Sequence, residues 1–298
     1  MDLPVFPDFK KLTLQDKSPI SSFFQDYQPV TSEFTFTNLF LWRNHYHIYW
    51  STLDHFLLIK GIFNDVPGIL CPVGKGDRAE TVIRVLSHLD DDSRGIAVER
   101  ADPTFKEEVI SDSRFTIVEQ TEQFDYLYPA ANFIEMSGRG FHRKRNHIAQ
   151  LEKTAQPVYL TLGADLVEFT LTFLEKWCIM KNCGKDRNLC DEWHGIRDVL
   201  INFDKFNIRG GVVLVNGVVE AFTLGEKLNQ DTVVIHVEKA NPQIHGLYTF
   251  LAHQYMKQEF PFVQFVNREQ DLGQEGLRKA KLSWFPEKQV KKYKVKLR

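Results

Sequence analysis

The spacing of apolar positions along the chain predicts alternating helices and strands. Ile20, Phe23 and Tyr27 recur at the interval of one helical face. β-branched and aromatic residues instead crowd short stretches such as 115–119 and 232–237, which predicts buried strands. After two helices, several strands are followed by alternating helices and strands. The pattern therefore predicts an α/β fold with a mixed (α+β) sheet, and not a helical bundle or a β-sandwich.

The same pattern gives approximate bounds for each element. Helices are predicted over 20–27, 34–46, 77–89, 105–110, 138–153, from 165 onward, 191–206 and from 247 onward. Strands are predicted over 46–50, 56–60, 69–72, 95–98, 115–119, 124–128, 157–161, 208–215, 218–224, 232–237, 262–266 and 290–297. The pair Asn216-Gly217 between two apolar runs predicts a hairpin. Because no linker rich in Gly, Pro or Ser separates the two parts, 1–155 and 156–298, we expect them to share an interface.

The segment around which the second part is organised runs from 231 to 284. Its first strand, 232–237, ends in polar residues and turns through Gly246 into a helix, whose first N–H groups are able to bind an anion. The strand 262–266 then delivers the polar run 267–271 beside the first strand. An ordinary strand–helix–strand crossover is the alternative, but polar residues at both strand ends favour a ligand site.

The most basic stretch of the chain, 137–147, begins a predicted helix. Arg145 falls only about 40° from the apolar Phe141 on the helical wheel, so it should point partly inward. Two interpretations remain open: a solvated basic face with Arg145 in an internal ion pair, or a clamp for phosphate or carboxylate. We predict that Arg145 and Asn146 face a crevice between the two parts, near Glu238 or Glu269.

Composition and charge exclude several classes of protein. With 43% hydrophobic residues, 26% charged residues and a formal net charge of −2, the chain as a whole is not drawn to nucleic acid or acidic lipid. No apolar run reaches the roughly 20 residues of a membrane span, and the acidic start is unlike a signal peptide. The four cysteines lack a C-x-x-C pair, which favours reduced thiols in a cytoplasmic protein. A metal site at Cys178, Cys183 and Cys190 is the less favoured alternative, so we predict none.

The order of elements in the second part resembles the GNAT acyltransferase fold. In that fold a splayed central strand leads to a glycine loop, Gln/Arg-x-x-Gly-x-Gly/Ala, which binds the pyrophosphate of an acyl-CoA. Gln243 and Gly246 match the first two positions of the loop, and Tyr248 departs from the third. The resemblance implies a donor channel that Tyr248 narrows.

Longer strings are similar to one family, the phosphatidylglycerol lysyltransferase C-terminal domain family with its stand-alone cytosolic members. They are Phe-His-Arg-Lys-Arg-Asn-His at 141–147, Val-Glu-Lys-Ala-Asn at 237–241 and the run from Val-Asn-Arg-Glu-Gln-Asp at 266–281. The resemblance extends from about residue 32 to the end, and Thr-Asn-Leu-Phe at 37–40 fits it too. It implies two GNAT-like halves in tandem. It also implies an aminoacyl-tRNA or acyl-CoA as acyl donor, no tightly bound cofactor, and a small molecule or lipid headgroup as acceptor.

Acyl transfer to an amine or hydroxyl needs a base, donors for the developing oxyanion and a means of positioning the donor substrate. Glu238 at the end of the central strand is the candidate base, and its alternative role is an ion pair with Lys239, Arg268 or Arg145. His236 lies within an apolar strand, which favours a partnered core histidine. The candidate catalytic residues are Glu238, Asn267, Glu269 and, as a proton shuttle in the loop, His245.

The candidate donor-binding residues lie on the glycine loop, the basic helix, the two strand ends and the helix that follows. They are Gln243, Gly246, Tyr248, Arg145, Asn146, Lys239, Arg268, Arg278, Lys279 and Lys281. A solvated face is the alternative for the last three. Among the functions, an aminoacyl- or acyltransferase is favoured. A non-catalytic module that binds tRNA or another phosphate ligand and a structural domain of a larger assembly remain open.

Overall fold

The computed structural model describes residues 3–89 and 95–298. The strands in chain order are β1 (Lys10–Lys11), β2 (Tyr49–Leu53), β3 (Phe56–Phe63), β4 (Val66–Leu70), β5 (Val73–Gly74), β6 (Ala97–Ala101), β7 (Phe115–Glu119), β8 (Asp125–Pro129), β9 (Val158–Thr161), β10 (Arg209–Val215), β11 (Val218–Lys227), β12 (Thr232–Ala240), β13 (Phe265–Asn267), β14 (Lys288–Val290) and β15 (Tyr293–Leu297). The helices are α1 (Lys17–Tyr27), α2 (Phe36–Trp42), α3 (Arg78–Leu89), α4 (Pro103–Val109), α5 (Ala131–Ile134), α6 (His142–Ala155), α7 (Val167–Lys181), α8 (Arg187–Ile201), α9 (Leu247–Glu259) and α10 (Glu275–Leu282).

Several helices begin where the sequence supplies a cap. The Thr35 side chain accepts a hydrogen bond from the Asn38 backbone N–H (3.1 Å) at the start of α2. Asp102 accepts from the Phe105 N–H (2.9 Å) at the start of α4, where Pro103 occupies the first helical position. These local signals explain why the predicted helices form close to their expected positions.

The chain divides into two compact units. The first comprises Met1–Asp125, Gln270–Gln274 and Gln289–Arg298, and the second comprises Tyr126–Glu269 and Glu275–Lys288. The boundary predicted from the sequence, after residue 155, falls inside the second unit. The reason is that β8 pairs with β13, and α6 packs on α9, both within that unit.

The first unit is built on a mixed sheet in the order β1-β2-β3-β4-β6-β15-β7, with β5 paired to β3. Strand β15 from the end of the chain lies between β6 and β7 and is antiparallel to both. Just before it, Lys292 is fully buried, and its ammonium donates to Asp125 Oδ1 and Glu33 Oε1, each at 2.7 Å. Both carboxylates are also buried, and the buried Arg100, whose Nη1 lies 3.6 Å from Glu33 Oε1, supplies the second cation of this cluster.

The second unit is built on a mixed sheet in the order β14-β8-β13-β12-β11-β10-β9. The pair β12–β13 is parallel, whereas β10, β11 and β12 are joined antiparallel, and Val215 opposite Val218 closes the predicted hairpin. Helices α5, α6 and α9 cover one face. Their apolar core includes Phe133, Ile148, Leu251, Tyr255 and Trp284.

The predicted α/β fold with mixed sheets is confirmed. The short elements β1, β5, α5 and β14 have no predicted counterpart, and the other differences lie at element ends. The strand expected over 262–266 is limited to Phe265–Asn267 because residues 261–264 form a turn. The basic helix begins with a short 3₁₀ turn at Arg139–Phe141, so α6 itself starts at His142. Within the described ranges, no helix combines the length and the apolar character that crossing a membrane requires.

Candidate functional site

Strand β12 continues beyond the point where its parallel partner ends. Its pairing with β13 covers only Thr232 to Val234, opposite Phe265 to Asn267. On the other side, β12 stays paired with β11 as far as Ala240. From residue 235 onward, no other described strand pairs with the side of β12 that β13 leaves. We call this opening, between residues 235–240 and the segment after β13, the strand gap.

A β-bulge sets which side chains of β12 reach the site. Leu224 opposes Val237 and Gly225 opposes Ile235, which leaves His236 as the extra residue. Ile235 and Ala240 therefore pack into the same apolar core, although five residues of regular strand would place them on opposite faces. Glu238, two residues before Ala240, lies on that same face.

Glu238 and Arg268 form an ion pair across the strand gap. The Arg268 Nε donates to Glu238 Oε2 at 3.0 Å, and Nη2 donates to the same oxygen. Both side chains are only 14% exposed, so each charge depends on the other. Burial disfavours the charged guanidinium, but Glu238 outweighs it and raises the pKa of Arg268. The remaining nitrogen, Arg268 Nη1, is buried and has no hydrogen-bond partner within the described residues.

Aromatic rings and a second cation lie beside this pair. The Arg268 guanidinium carbon is 5.5 Å from the centre of the Phe133 ring and 5.7 Å from that of Trp284, and these two rings stack 4.4 Å apart. The Lys144 ammonium lies 4.0 Å above Trp284 and donates to Ser283 Oγ at 2.9 Å. Burial lowers the pKa of Lys144 to about 8, and the nearby charge of Arg268 adds to this effect. The site therefore carries an excess of positive charge.

The second candidate carboxylate, Glu269, is held by His236. Glu269 Oε1 lies 2.8 Å from His236 Nδ1, and Glu226 Oε1 lies 3.1 Å from Nε2 of the same ring. Burial disfavours the imidazolium, yet the hydrogen bonds to the two carboxylates outweigh it and raise the pKa of His236 to about 9. The Asn267 side chain is buried and accepts from the Glu269 backbone N–H at 2.8 Å. Asn267 and His236 thus fix the position of Glu269.

The glycine loop packs closely on α6. Gly246 has φ 84°, and a Cβ built there would lie 2.7 Å from the backbone oxygen of His147. The exposed His245 ring lies 4.3 Å from the His147 ring, centre to centre. Burial, followed by the charges of His245 and Arg143, lowers the pKa of His147. The turn at Gly246, which resembles a pyrophosphate-binding loop, therefore faces the backbone carbonyl oxygen of His147.

The other two loop positions differ in environment. The Gln243 side chain is exposed, and the Gln243 backbone N–H donates to Asn241 Oδ1 at 3.0 Å. Tyr248 is 40% exposed, and burial raises the pKa of its hydroxyl. Glu238 and Glu192 lie near enough to raise it further. Tyr248 thus belongs to the strand gap, whereas Gln243 points to solvent.

The prediction that a carboxylate pairs with Arg145 is wrong. Its guanidinium donates to the backbone oxygens of Met136 and Gly138, the latter at 2.9 Å. Both residues have positive φ, and the turn that they form presents its carbonyl groups to the helix. Asn146 is exposed, with its amide 3.4 Å from His142 Nδ1, which also contradicts the expected inward position.

The four remaining candidates lie in three different places. Lys281 donates to the Arg268 and Glu269 carbonyl groups (3.4 Å for the latter), so it braces the segment that carries both side chains. Lys239 is buried, 2.7 Å from Glu192 Oε2 and 4.1 Å from the centre of the Trp177 ring. Lys279 and Arg278 are exposed on α10, with Lys279 paired to Glu275 on the same helix. The latter two are not brought to the strand gap by these contacts.

Sequence reasoning missed three residues of this region: Lys144, Trp284 and Glu226.

The described part of the chain contains no cluster of three or more His, Cys, Asp or Glu side chains able to hold a metal ion. Its four cysteines are not in disulfides, and burial raises the pKa of Cys183 to about 12.

Comparisons with known proteins agree with this architecture. Over 100% of both chains, the structure is similar to a conserved protein of unknown function from Bacteroides thetaiotaomicron VPI-5482, with a TM-score of 0.90 and 30% sequence identity. It is also similar to L-PGS from Bacillus licheniformis (TM-score 0.66, 11% identity, 100% of this chain and 94% of that one). A third similar structure is a tandem GNAT protein from the clavulanic acid biosynthesis pathway (TM-score 0.50, 9% identity, 97% of each chain).

The fold is therefore that of tandem GNAT-like proteins, as the order of elements predicted. A comparison with curated proteins gave no match. The family described as "Phosphatidylglycerol lysyltransferase, C-terminal" matches residues 24–296, which is nearly the whole chain. The chain belongs to the phosphatidylglycerol lysyltransferase C-terminal family.

Proposed function

We propose that the protein is an acyltransferase that moves an aminoacyl or acyl group to an amine or hydroxyl acceptor at the strand gap. The observation that carries the proposal is the Glu238–Arg268 pair, which spans the gap and leaves a buried N–H group of Arg268 without a partner. The family match and the acyltransferase-like fold support the same class of reaction.

The two residues of the pair have different roles in this proposal. Both donations from Arg268 reach Oε2 of Glu238, so Oε1 is the oxygen that takes the proton from the attacking amine or hydroxyl. Arg268 Nη1 donates to the oxyanion that develops on the donor carbonyl group. Asn267, Lys281 and the His236–Glu269 pair hold the segment after β13 in place, so they position Arg268.

The contacts of the glycine loop favour aminoacyl-tRNA over acyl-CoA as the donor. A pyrophosphate at Gly246 would lie against the His147 backbone oxygen, which repels an anion. We propose no tightly bound cofactor. The acceptor is a small molecule or a lipid headgroup, and the unpaired cysteines agree with a cytoplasmic location.

The test is a transfer assay with labelled acyl groups. The purified protein is offered charged tRNA and, separately, acyl-CoA, each with a panel of amine and hydroxyl acceptors. Glu238→Gln should lose about 10²–10⁴ of the turnover while donor binding survives. Glu275→Gln, which alters an exposed carboxylate on α10, serves as the matched control and should transfer normally. Binding of neither donor to the wild-type protein would rule out the proposal.

A second function, a binding module without catalysis, is favoured by one observation. Both candidate carboxylates are already engaged, Glu238 with Arg268 and Glu269 with His236. A module of this kind would bind charged tRNA or another phosphate ligand and show no turnover for Glu238→Gln to remove. A ligand at 100 times its Kd adds about 2.7 kcal/mol to the free energy of unfolding, which a thermal-shift screen detects.

A further inference from the structure

Lys144 has an unusual environment for a lysine. Its ammonium group lies over the ring of Trp284, 4.0 Å from the centre, and donates to the uncharged Ser283 hydroxyl at 2.9 Å. Among the ion pairs of the described residues, none involves Lys144. The side chain is half-buried, so its amine is desolvated on one side and still reachable from solvent. The Trp284 ring holds the amine in place and favours its charged form, but no carboxylate of the described residues pairs with it.

The charged neighbours of Lys144 and its burial disfavour the positive charge of its amine. Arg268 and Arg143 are both cations, and with burial as the largest cause they lower the pKa of Lys144 to about 8. With a pKa of about 8, roughly one fifth of the amine is neutral, and nucleophilic, near pH 7.4. An exposed lysine such as Lys279, which pairs with Glu275 at 2.6 Å, has no such environment.

The same neighbours would attract an anionic electrophile. Arg268 Nη1 is a buried donor without a partner, and Arg143 is exposed on the same helix as Lys144. A small acyl donor that carries a phosphate leaving group would place its negative charge near these guanidinium groups. Its carbonyl carbon would then lie close to the Lys144 amine.

We propose that Lys144 is a covalent acylation site whose amine accepts the acyl group of an acyl phosphate. The lone pair of the neutral amine attacks the carbonyl carbon, so a C–N bond forms. The C–O bond to phosphate breaks, phosphate leaves with the electron pair, and the proton of the amine passes to solvent. The product is a neutral amide, which removes one positive charge from the region beside Arg268. This modification goes beyond the proposed transfer reaction, because it needs no acceptor molecule and no transfer assay to detect.

The experiment uses the wild-type protein and acetyl phosphate. Acetylation of Lys144 and Lys279 is followed over time by peptide mass spectrometry at pH 8. We expect Lys144 to react about tenfold faster, because its much larger neutral fraction is only partly offset by the lower nucleophilicity that accompanies a lower pKa. At pH 10.5 the preference should fall to equality or below. Equal or slower reaction of Lys144 at pH 8 would overturn the proposal.

Two further experiments test why Lys144 reacts faster than Lys279. Arg143→Gln removes an exposed cation and should slow the acetylation of Lys144 at pH 8 without changing that of Lys279. The N-hydroxysuccinimide ester of acetic acid is an uncharged acetylating reagent and should show a smaller preference for Lys144 than acetyl phosphate does. An equal preference for both reagents would overturn the assignment of an acyl phosphate as the donor.

Discussion

Glu269 Oε1 lies 2.8 Å from Nδ1 of His236, the residue that the bulge of β12 adds to the strand. With Glu226 on the other ring nitrogen, this contact holds a buried imidazolium between two carboxylates. The arrangement explains why a histidine is tolerated within an apolar strand. It also connects β11, β12 and the segment after β13, which carries Arg268.

The first prediction concerns pH. The pKa of His236 is raised from 6.5 to about 9, so between these values the folded protein binds a proton that the unfolded chain does not. The contribution to stability is complete below pH 6.5 and is lost as the pH rises through 9. It amounts to roughly 3 kcal/mol, from 1.36 kcal/mol for each unit of pKa.

Denaturant unfolding between pH 6 and 10 measures this effect, and NMR titration of the His236 ring measures the pKa directly. His236→Gln should flatten the fall in stability between pH 6.5 and 9. An imidazole that titrates near 6.5 in the folded protein would contradict the prediction.

Local patterns in the sequence were sufficient to predict most strands of the second unit's sheet and the polar strand ends that form the site. The Asn216-Gly217 hairpin, the helix after Gly246 and the polar residues after β13 all follow from short-range signals. They brought Glu238, Asn267 and Glu269 into one neighbourhood without any knowledge of distant contacts.

Non-local contacts determine the environments of Lys144 and Arg145 and the extents of the two units, which local sequence patterns do not reveal. On the helical wheel Lys144 falls inside the apolar stripe, between Ile148 and Leu151, whereas Arg145 falls about 40° outside it, beyond Phe141. The wheel therefore favours Lys144 as the inward residue, but it cannot identify the partner of either side chain. Carbonyl groups nine and seven residues earlier engage Arg145, whereas Trp284 determines the environment of Lys144. The extents of the two units also depend on non-local contacts, since β8 pairs with β13 and α6 packs on α9, whereas β15 joins the first sheet from the far end of the chain.

The second prediction concerns the buried charges of the first unit. Lys292→Met would leave Asp125 and Glu33 without the cation that lies 2.7 Å from each, so it should reduce the free energy of unfolding by about 3–5 kcal/mol. Lys291→Met is the matched control on the adjacent residue. Its ion pair with Glu119 is exposed and screened by solvent, so the loss of that pair should change the free energy of unfolding little. Similar effects of the two substitutions in urea unfolding would argue against a structural role for the buried cluster.

The third prediction concerns Arg145. Because it donates to the backbone oxygens of Met136 and Gly138, Arg145→Ala should reduce the free energy of unfolding by about 1–3 kcal/mol. It should leave donor affinity nearly unchanged, in contrast to a residue that clamps the ligand. Arg139→Ala, an exposed charge in the preceding 3₁₀ turn, serves as the control and should be close to neutral. A large loss of donor binding with unchanged stability would restore the ligand clamp considered from the sequence.

The last prediction concerns Gly246, where the loop approaches α6. An alanine there would adopt a left-handed φ of 84° and bring its Cβ to 2.7 Å from the His147 backbone oxygen, an atom that moves only if α6 moves. The backbone strain alone costs about 1–2 kcal/mol, so Gly246→Ala should reduce the free energy of unfolding by at least about 2 kcal/mol. Gly276→Ala is the contrasting control, because Gly276 lies in α10 and a Cβ added there would meet no described atom within 4 Å. That substitution should stabilise the protein by up to about 1 kcal/mol through helix propensity. If thermal unfolding shows that Gly246→Ala lowers stability and Gly276→Ala raises it, the close approach of the loop to α6 requires glycine. If Gly246→Ala leaves stability unchanged, the loop is able to move away from α6 and admit a phosphate group.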